Sequence, residues 1–308
     1  MHSKNRYAAL IPLALTAVLG LASCTSASAD LDSAPQSSSG DAGVQVNEEA
    51  RALLPEDVRD KGVLVFASDP TYPPFEYMDT DNKTLIGFDI DLTDLLAVSL
   101  GLQAEHTAAT FDTILPGLTS GKYDVGVSQF SITPERQKAV DFIPYLAGGT
   151  AIGVLTGNPQ HLSLTDGSLC GQSIAAQKGS IQALTQGPEL SKKCVDAGKK
   201  PIDIQTFPGQ SDANLALISG RVQAILSDSV SLVFQGEESG GKFEVAGDAD
   251  YQPTGVGLAV EKDSDLSPAL SKAMEDLLDS EEYAQVYEDW KIPVRTKIDA
   301  TDFEKYSK

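Results

Sequence analysis

Basic residues are scarce in this 308-residue chain: 23 Lys plus Arg stand against 44 Asp plus Glu, a formal net charge of −21. A surface of that sign repels nucleic-acid phosphates and anionic headgroups, which excludes nucleic acid as a partner bound by phosphate neutralisation. Only three histidines occur, His2, His106 and His161, and none sits in the spacing of a Ser-His-Asp triad or a metal cluster. Three cysteines are too few for a miniprotein held by disulfides, and their spacing fits no zinc site. There is no Gly-rich phosphate loop of the P-loop kind, no repeat at a solenoid period, and nothing that calls for a cofactor. What is present, 41% hydrophobic and 22% charged residues, is the make-up of a soluble folded chain with length for one large domain or two ordinary ones.

The first residues read differently from the rest. Lys4 and Arg6 precede an uncharged run from Ala8 to Leu21, 14 residues long. A bilayer-crossing helix needs roughly 20 apolar residues, whereas the apolar stretch of a secretory signal has about 7 to 15. The run closes on Leu21, Ala22, Ser23 and Cys24, which resembles the lipobox of bacterial lipoproteins. That resemblance implies a signal peptide at 1–23 and a lipidated Cys24 as the mature N-terminus, anchored to the outer face of the cell membrane. Removing residues 1–23, which carry Lys4 and Arg6 and no acid, moves the charge from −21 to −23. Residues 25–45 are rich in Ser, Ala, Asp and Gly and have no hydrophobic period, so a flexible tether is expected from Cys24 to residue 58. Cys170 and Cys194 would then lie outside the cytoplasm, where disulfides persist, and are expected to pair.

From Leu53 onward short β-type runs alternate with helical periods, the pattern of an α/β fold. Val63–Ala67 reads as a buried strand leading into a turn at 69–75 that Pro70, Pro73 and Pro74 keep from being helical. Leu92, Leu95 and Leu96 share a helical face that Gly101 ends; Ile114, Leu115 and Leu118 repeat the device before Gly121. Asp124–Ser128 reads as a strand. Thr133 and Pro134 form an N-cap and first-turn pair, so a helix carrying Glu135 and Arg136 is expected there. A second set follows: strand Ser173–Ala176, a turn at 178–180, a helix from Ile181, a helix Ala213–Ile218, a strand Val222–Leu226, a strand Gly255–Val260, and helical periods from Leu266 to Trp290.

Four stretches now stand in order: DPTYPPFEY at 69–77, GFDIDL at 87–92, SQFSITPER at 128–136 and GRVQAILSD at 220–228. Together they resemble the polar amino-acid branch of bacterial extracytoplasmic solute-binding proteins, which serve ABC importers. The resemblance covers nearly all of the chain from 59 to 290. It implies a two-lobed periplasmic-binding-protein-like fold of type II, with lobes joined by two crossing strands near Leu146–Ile152 and Pro253–Leu258. Lobe 1 would comprise 59–148 plus 258–308, and lobe 2 would comprise 149–257. It implies a monomer that hands its ligand to membrane permease subunits.

A free amino acid places a carboxylate and an ammonium on one carbon, so its pocket needs a cationic clamp, an anionic clamp and a side-chain slot. Arg136 occupies the family's carboxylate-binding position, and its planar guanidinium can bond both oxygens. Ser180, after Gly179 at a strand-to-helix turn, would present an amide to the same carboxylate from the other lobe, with Ser131 adding a hydroxyl or amide. Asp228 matches the ammonium-binding acid, and the Gln129 carbonyl is a second acceptor. Tyr72 and Phe111 match the walls around the ligand side chain, whose stacking faces favour flat or cationic groups. Asp69 could accept from a basic or amide side chain, while Lys178 could meet an acidic one; the reading leans to basic or amide. Ile181 stands where relatives commonly carry a hydroxyl residue. An enzyme on the same fold, such as a dehydratase, is the alternative; no residue is assigned a catalytic role.

Overall fold

The computed structural model describes residues 43–307. The signal peptide expected at 1–23, the anchor expected at Cys24 and the tether as far as residue 42 lie outside the described residues. Residues 48–58, placed in the tether by composition, instead form α1 (Glu48–Ala52) and the start of α2 (Glu56–Lys61). Asn47 caps α1 by accepting from the Ala50 amide, and Arg51 donates to the carbonyls of Leu100 and Gly101. Ala50 and Leu54 are buried in the main core, so two apolar residues suffice to order a segment whose composition is otherwise polar.

The first α/β half runs β1 (Val63–Ser68), β2 (Thr71–Tyr72), β3 (Glu76–Met78), β4 (Leu85–Ile86), α3 (Phe88–Ser99), β5 (Gln103–Ala108), α4 (Phe111–Thr119) and β6 (Val125–Gly126). Strand β1 pairs parallel with β5 and β6, and β2 to β4 form a small separate sheet. Helix α3 begins after Gly87 with Asp89 and Asp91 in its first turn, where carboxylates favour the helix dipole. It buries Leu92, Leu95 and Leu96 together.

The long β7 (Val140–Leu155) then leaves this half for the second. There β8 (Ser173–Gln177), α5 (Gly187–Asp196), β9 (Asp203–Phe207), α6 (Gln210–Ile218), β10 (Ala224–Asp228) and α7 (Ser229–Glu238) alternate. The still longer β11 (Phe243–Glu261) returns, followed by α8 (Ser267–Leu278), α9 (Glu281–Asp289) and α10 (Ala300–Tyr306). One eight-stranded sheet results, in the order β5-β1-β6-β11-β7-β10-β8-β9. Within the sheet the antiparallel β7–β11 ribbon joins the two parallel wings, its register running from Val140 opposite Glu261 to Leu155 opposite Phe243.

Two local expectations are corrected. The helix expected after Thr133 is a single 3-10 turn, Arg136–Lys138: Thr133 Oγ1 does accept from the Arg136 amide at 3.2 Å, but the chain must join the ribbon at Val140. The helix from Ile181 widens to a π-turn at Gln182–Gln186 before α5, because Pro188 lacks the amide that an α-turn needs and its ring crowds the carbonyl four residues back.

Four apolar clusters fill the fold. Phe66, Phe88, Leu96, Tyr145, Leu270 and Tyr283 belong to the largest, and Phe111, Ile114, Phe130 and Phe142 to its neighbour. In the second half, Phe207, Leu217, Ile225 and Leu232 cluster on one side of the sheet; Ile174, Leu190, Leu226 and Cys194 form the other cluster. Cys194 is bonded to Cys170 across a sequence separation of 24. Closing a loop of that length stabilises by about 3 kcal/mol in the chain-entropy picture. Replacing both cysteines by serine is therefore expected to lower the thermal midpoint by several degrees. Calorimetry showing an unchanged midpoint would contradict a stabilising role for this bridge.

Candidate functional site

The ribbon departs from regular pairing most widely near its middle. Its register shifts between Ala246 and Tyr251 and again between Tyr251 and Thr254, opposite Gly148–Ile152. A Cβ on Gly149 would lie 2.3 Å from Asp250 Cα, and one on Gly148 would lie 2.8 Å from Asp228 Oδ2, so the backbones approach here as only glycine permits. Gly148, Gly149, Thr150, Gln252, Thr254 and Val256 thereby form the floor of a cleft between the wings.

Both wings line the same cavity, which is partly open to solvent. Tyr72, Phe111, Gln129, Ser131 and Arg136 come from the first half and Asp228 from the second, so the structure brings six of the eight expected residues together. Asp69 and Ser180 border the cavity without lining it. Asp69 is 2% exposed and accepts from Thr71 Oγ1 (2.6 Å), the Phe111 amide (2.8 Å) and Gln177 Nε2 (3.2 Å). Ser180 Oγ accepts from the Ala183 amide at 3.1 Å as a local cap. Lys178 lies outside, paired with Asp112 at 2.7 Å.

Arg136 is held by groups that cannot neutralise it. Its Nη1 donates to the Ser131 carbonyl (2.8 Å) and its Nη2 crosses the cleft to the Gly179 carbonyl (3.1 Å). The guanidinium carbon lies 5.5 Å from the ring centroids of both Phe111 and Phe130, which stack on each other at 4.8 Å. Among the described residues no carboxylate is within ion-pairing distance. Burial pushes its pKa down to about 10, so it remains cationic at neutral pH.

Asp228 ends β10 and caps α7: Oδ1 accepts from the amides of Val230 (2.9 Å) and Ser231 (3.1 Å), while Oδ2 has no donor among the described residues. Its amide donates to the Tyr72 hydroxyl at 3.1 Å, and that hydroxyl lies 2.7 Å from Ser227 Oγ. Further bonds join the wings from Ser231 Oγ to the Pro73 carbonyl and from the Gln210 amide to Thr71 Oγ1.

Behind Gln129 lies a buried carboxyl pair. Glu76 is fully buried and accepts from Ser128 Oγ at 2.6 Å with one oxygen while Oε2 is buried without a partner among the described residues; burial and the Asp89 charge raise its pKa well above the ordinary carboxyl range. Asp89 accepts from the Tyr145 hydroxyl (2.8 Å) and the Gln129 amide (3.3 Å), which holds Gln129 at φ 51°.

Motif reasoning did not find Ser128, Thr150, Gln182, Gln252 or Thr254, all of which line the cavity. Thr150, Gln252 and Thr254 depend on the ribbon's register slip, which no local pattern announces. Gln182 carried a usable signal: it lies two residues beyond Ser180 on the helix whose start had been recognised.

Over residues 64–292 the sequence matches the family described as bacterial extracellular solute-binding proteins, family 3. The chain belongs to that family. It is 32% identical over 244 residues to an arginine-binding protein of Corynebacterium glutamicum, covering 79% of each chain. Among solved structures, an ancestral arginine-binding protein bound to arginine is 34% identical with a TM-score of 0.66, covering 74% of this chain and 98% of that one. An ancestral amino-acid-binding protein, a precursor of cyclohexadienyl dehydratase, is 28% identical with a TM-score of 0.67, covering 78% and 99%. The α/β architecture described above is the two-lobed type II fold of these proteins.

In this family 3 solute-binding protein the site is maintained at a cost in stability. Burial raises the Asp228 carboxyl from its ordinary 3.8 to about 6, overcoming its two amide donors and the Arg295 charge. A carboxyl whose folded pKa is raised holds its proton more tightly when folded, so stability falls as pH rises from about 4 to about 6 and levels off above. That displacement corresponds to about 3 kcal/mol at neutral pH. Asp228→Asn keeps the capping oxygen and removes the charge. Without added ligand it should melt higher than the native chain at pH 7.5, with the difference shrinking toward pH 4.5. A difference that does not change with pH would contradict this.

Proposed function

We propose that this protein captures one free amino acid outside the cell by closure of its lobes and delivers it to an ABC importer. The observation that carries this reading is the pairing of a half-buried cationic Arg136 with an Asp228 oxygen in the lining of one cavity, the first without a carboxylate partner and the second without a donor among the described residues. A single α-carbon bearing both a carboxylate and an ammonium answers both at once. Ser131 and the turn at Ser180 complete the carboxylate end, Gln129 the ammonium end, and Tyr72, Phe111 and, through Gln177, Asp69 the side-chain end. A basic or amide side chain is favoured, in keeping with the arginine-binding relatives.

Closure follows from the contacts. Arg136 belongs to one lobe and the Gly179 carbonyl and Ser180 turn to the other, so a carboxylate held between them stabilises the closed arrangement selectively. Lobe 1 is taken as 59–148 plus 258–308 and lobe 2 as 149–257, with the ribbon as the crossing. The protein works as a monomer, exported by residues 1–23 and anchored through lipidated Cys24. We take it as a binding protein and not a dehydratase, in keeping with the arginine-binding relatives and with an Asp228 already engaged as a helix cap.

Isothermal titration of the purified protein against the common amino acids is expected to show saturable binding with Kd in the micromolar range or tighter, about −8 kcal/mol. Arg136→Ala should weaken the best ligand at least about 100-fold and Asp228→Asn at least about tenfold. No binding by the native protein, or unchanged isotherms for both variants, would defeat the assignment.

A further inference from the structure

Four glutamines line the cavity, and in three of them, Gln129, Gln177 and Gln182, the amide nitrogen is already engaged as a donor. Gln177 Nε2 donates across the cleft to Asp69 Oδ2 at 3.2 Å. Gln129 Nε2 donates to the Tyr145 hydroxyl at 3.2 Å and to Asp89 Oδ1 at 3.5 Å. Gln182 Nε2 donates to Thr150 Oγ1 at 2.9 Å, and the Thr150 hydroxyl passes its own hydrogen to Gln186 Oε1 at 2.6 Å.

The carboxylates fix which way two of these amides face. Turning Gln177 over would place its carbonyl against Asp69, acceptor against acceptor. Turning Gln129 over would do the same against Asp89, and the Tyr145 hydroxyl offers no rescue because its hydrogen goes to Asp89 Oδ2. The three residues are 8% (Gln129), 3% (Gln177) and 7% (Gln182) exposed, yet their Oε1 atoms have no partner among the described residues and are not sealed from solvent. The open side of such a residue is the cavity it lines.

We propose that Gln177, its amide held by Asp69, selects the ligand's side chain by presenting a carbonyl acceptor, with Gln182 and Gln129 extending the same acceptor wall. This deepens the amino-acid reading above and rests on it. Beside one cation for an anionic group and one carboxylate for the ammonium, the cavity then offers the ligand's side chain a run of carbonyl oxygens at Gln177, Gln182 and Gln129. Its ligand is an amino acid whose side chain ends in N–H donors, an amide or a guanidinium. A side-chain carboxylate would meet acceptors, and an alkyl chain would leave the carbonyls buried without partners. Asp69 is a positioning residue that acts through Gln177.

The test is titration of the native protein, Gln177→Leu, Asp69→Asn and the double variant with arginine, glutamine, glutamate and norleucine at pH 7.5, with melting curves to verify folding. The native protein should prefer arginine or glutamine to glutamate and norleucine. Gln177→Leu should lose at least about tenfold for the preferred ligand while keeping or improving norleucine binding, so that the preference ratio collapses. Asp69→Asn should narrow the glutamine-to-glutamate ratio, and the double variant should lose no more than Gln177→Leu alone. Gln182→Leu gives a second reading of the ratio should Gln177→Leu fail to fold. An unchanged ratio in the folded leucine variant overturns the proposal, as does a full additional loss from Asp69→Asn in the Gln177→Leu background, which would mean that Asp69 meets the ligand directly. Absence of all binding by the native protein defeats the amino-acid reading itself, an outcome distinct from binding with an unaltered ratio.

Discussion

Withdrawing a guanidinium from water costs several kcal/mol unless its charge is answered, and Arg136 is answered by two carbonyls and two aromatic faces instead of a carboxylate. The surrounding structure is arranged around that condition. Phe111 and Phe130 stack so that both rings face the guanidinium, and the Ser131 carbonyl is held beside it by a bridge to Val256 on the return strand. The Gly179 carbonyl comes from the opposite lobe, so the charge is fully enclosed only when the lobes meet. One cation held in this way couples recognition to closure without any further device.

The anionic half is built on the same logic. Asp228 stays in place by capping α7 with one oxygen, and burial raises the energy of its charge, which the ammonium of the proposed ligand would answer. The β7–β11 ribbon lets both halves converge, since its register slip at Gly148–Thr150 opens the floor of the cavity where a regular ladder would have closed it. The glycines there are required by the approach of Asp228 and Asp250.

Much of this was legible in the sequence because it is local. The strand at Val63, the helix after Gly87, the turn at 178–180 and the helix at Ala213 each carry their own start and stop signals. Arg136, Tyr72 and Asp228 sit inside ordered motifs, and the cavity contains them. What escaped is tertiary. Thr133 caps as its type predicts, yet the helix ends after one turn because Val140 is claimed by the sheet. Ala50 and Leu54 are too few to show a period, and only their partners in the core reveal that the segment is ordered. Thr150 and Gln252 reach the cavity through the ribbon slip, which does not follow from residue type alone. The acid excess noted at the outset divides likewise: most carboxylates solvate the surface, while Asp69, Glu76, Asp89 and Asp228 are buried around the cleft.

The claim on which the account depends is that the Arg136 charge is reserved for the ligand's α-carboxylate. Comparing the tightest-binding amino acid with its α-carboxamide, by titration at neutral pH, isolates that contact while leaving the ammonium and side chain unaltered. The account predicts that the carboxamide binds at least about 100-fold more weakly, because a buried cation would then face a neutral group. Affinities within about threefold of each other would show that Arg136 does not serve the carboxylate, and would contradict the account at its centre.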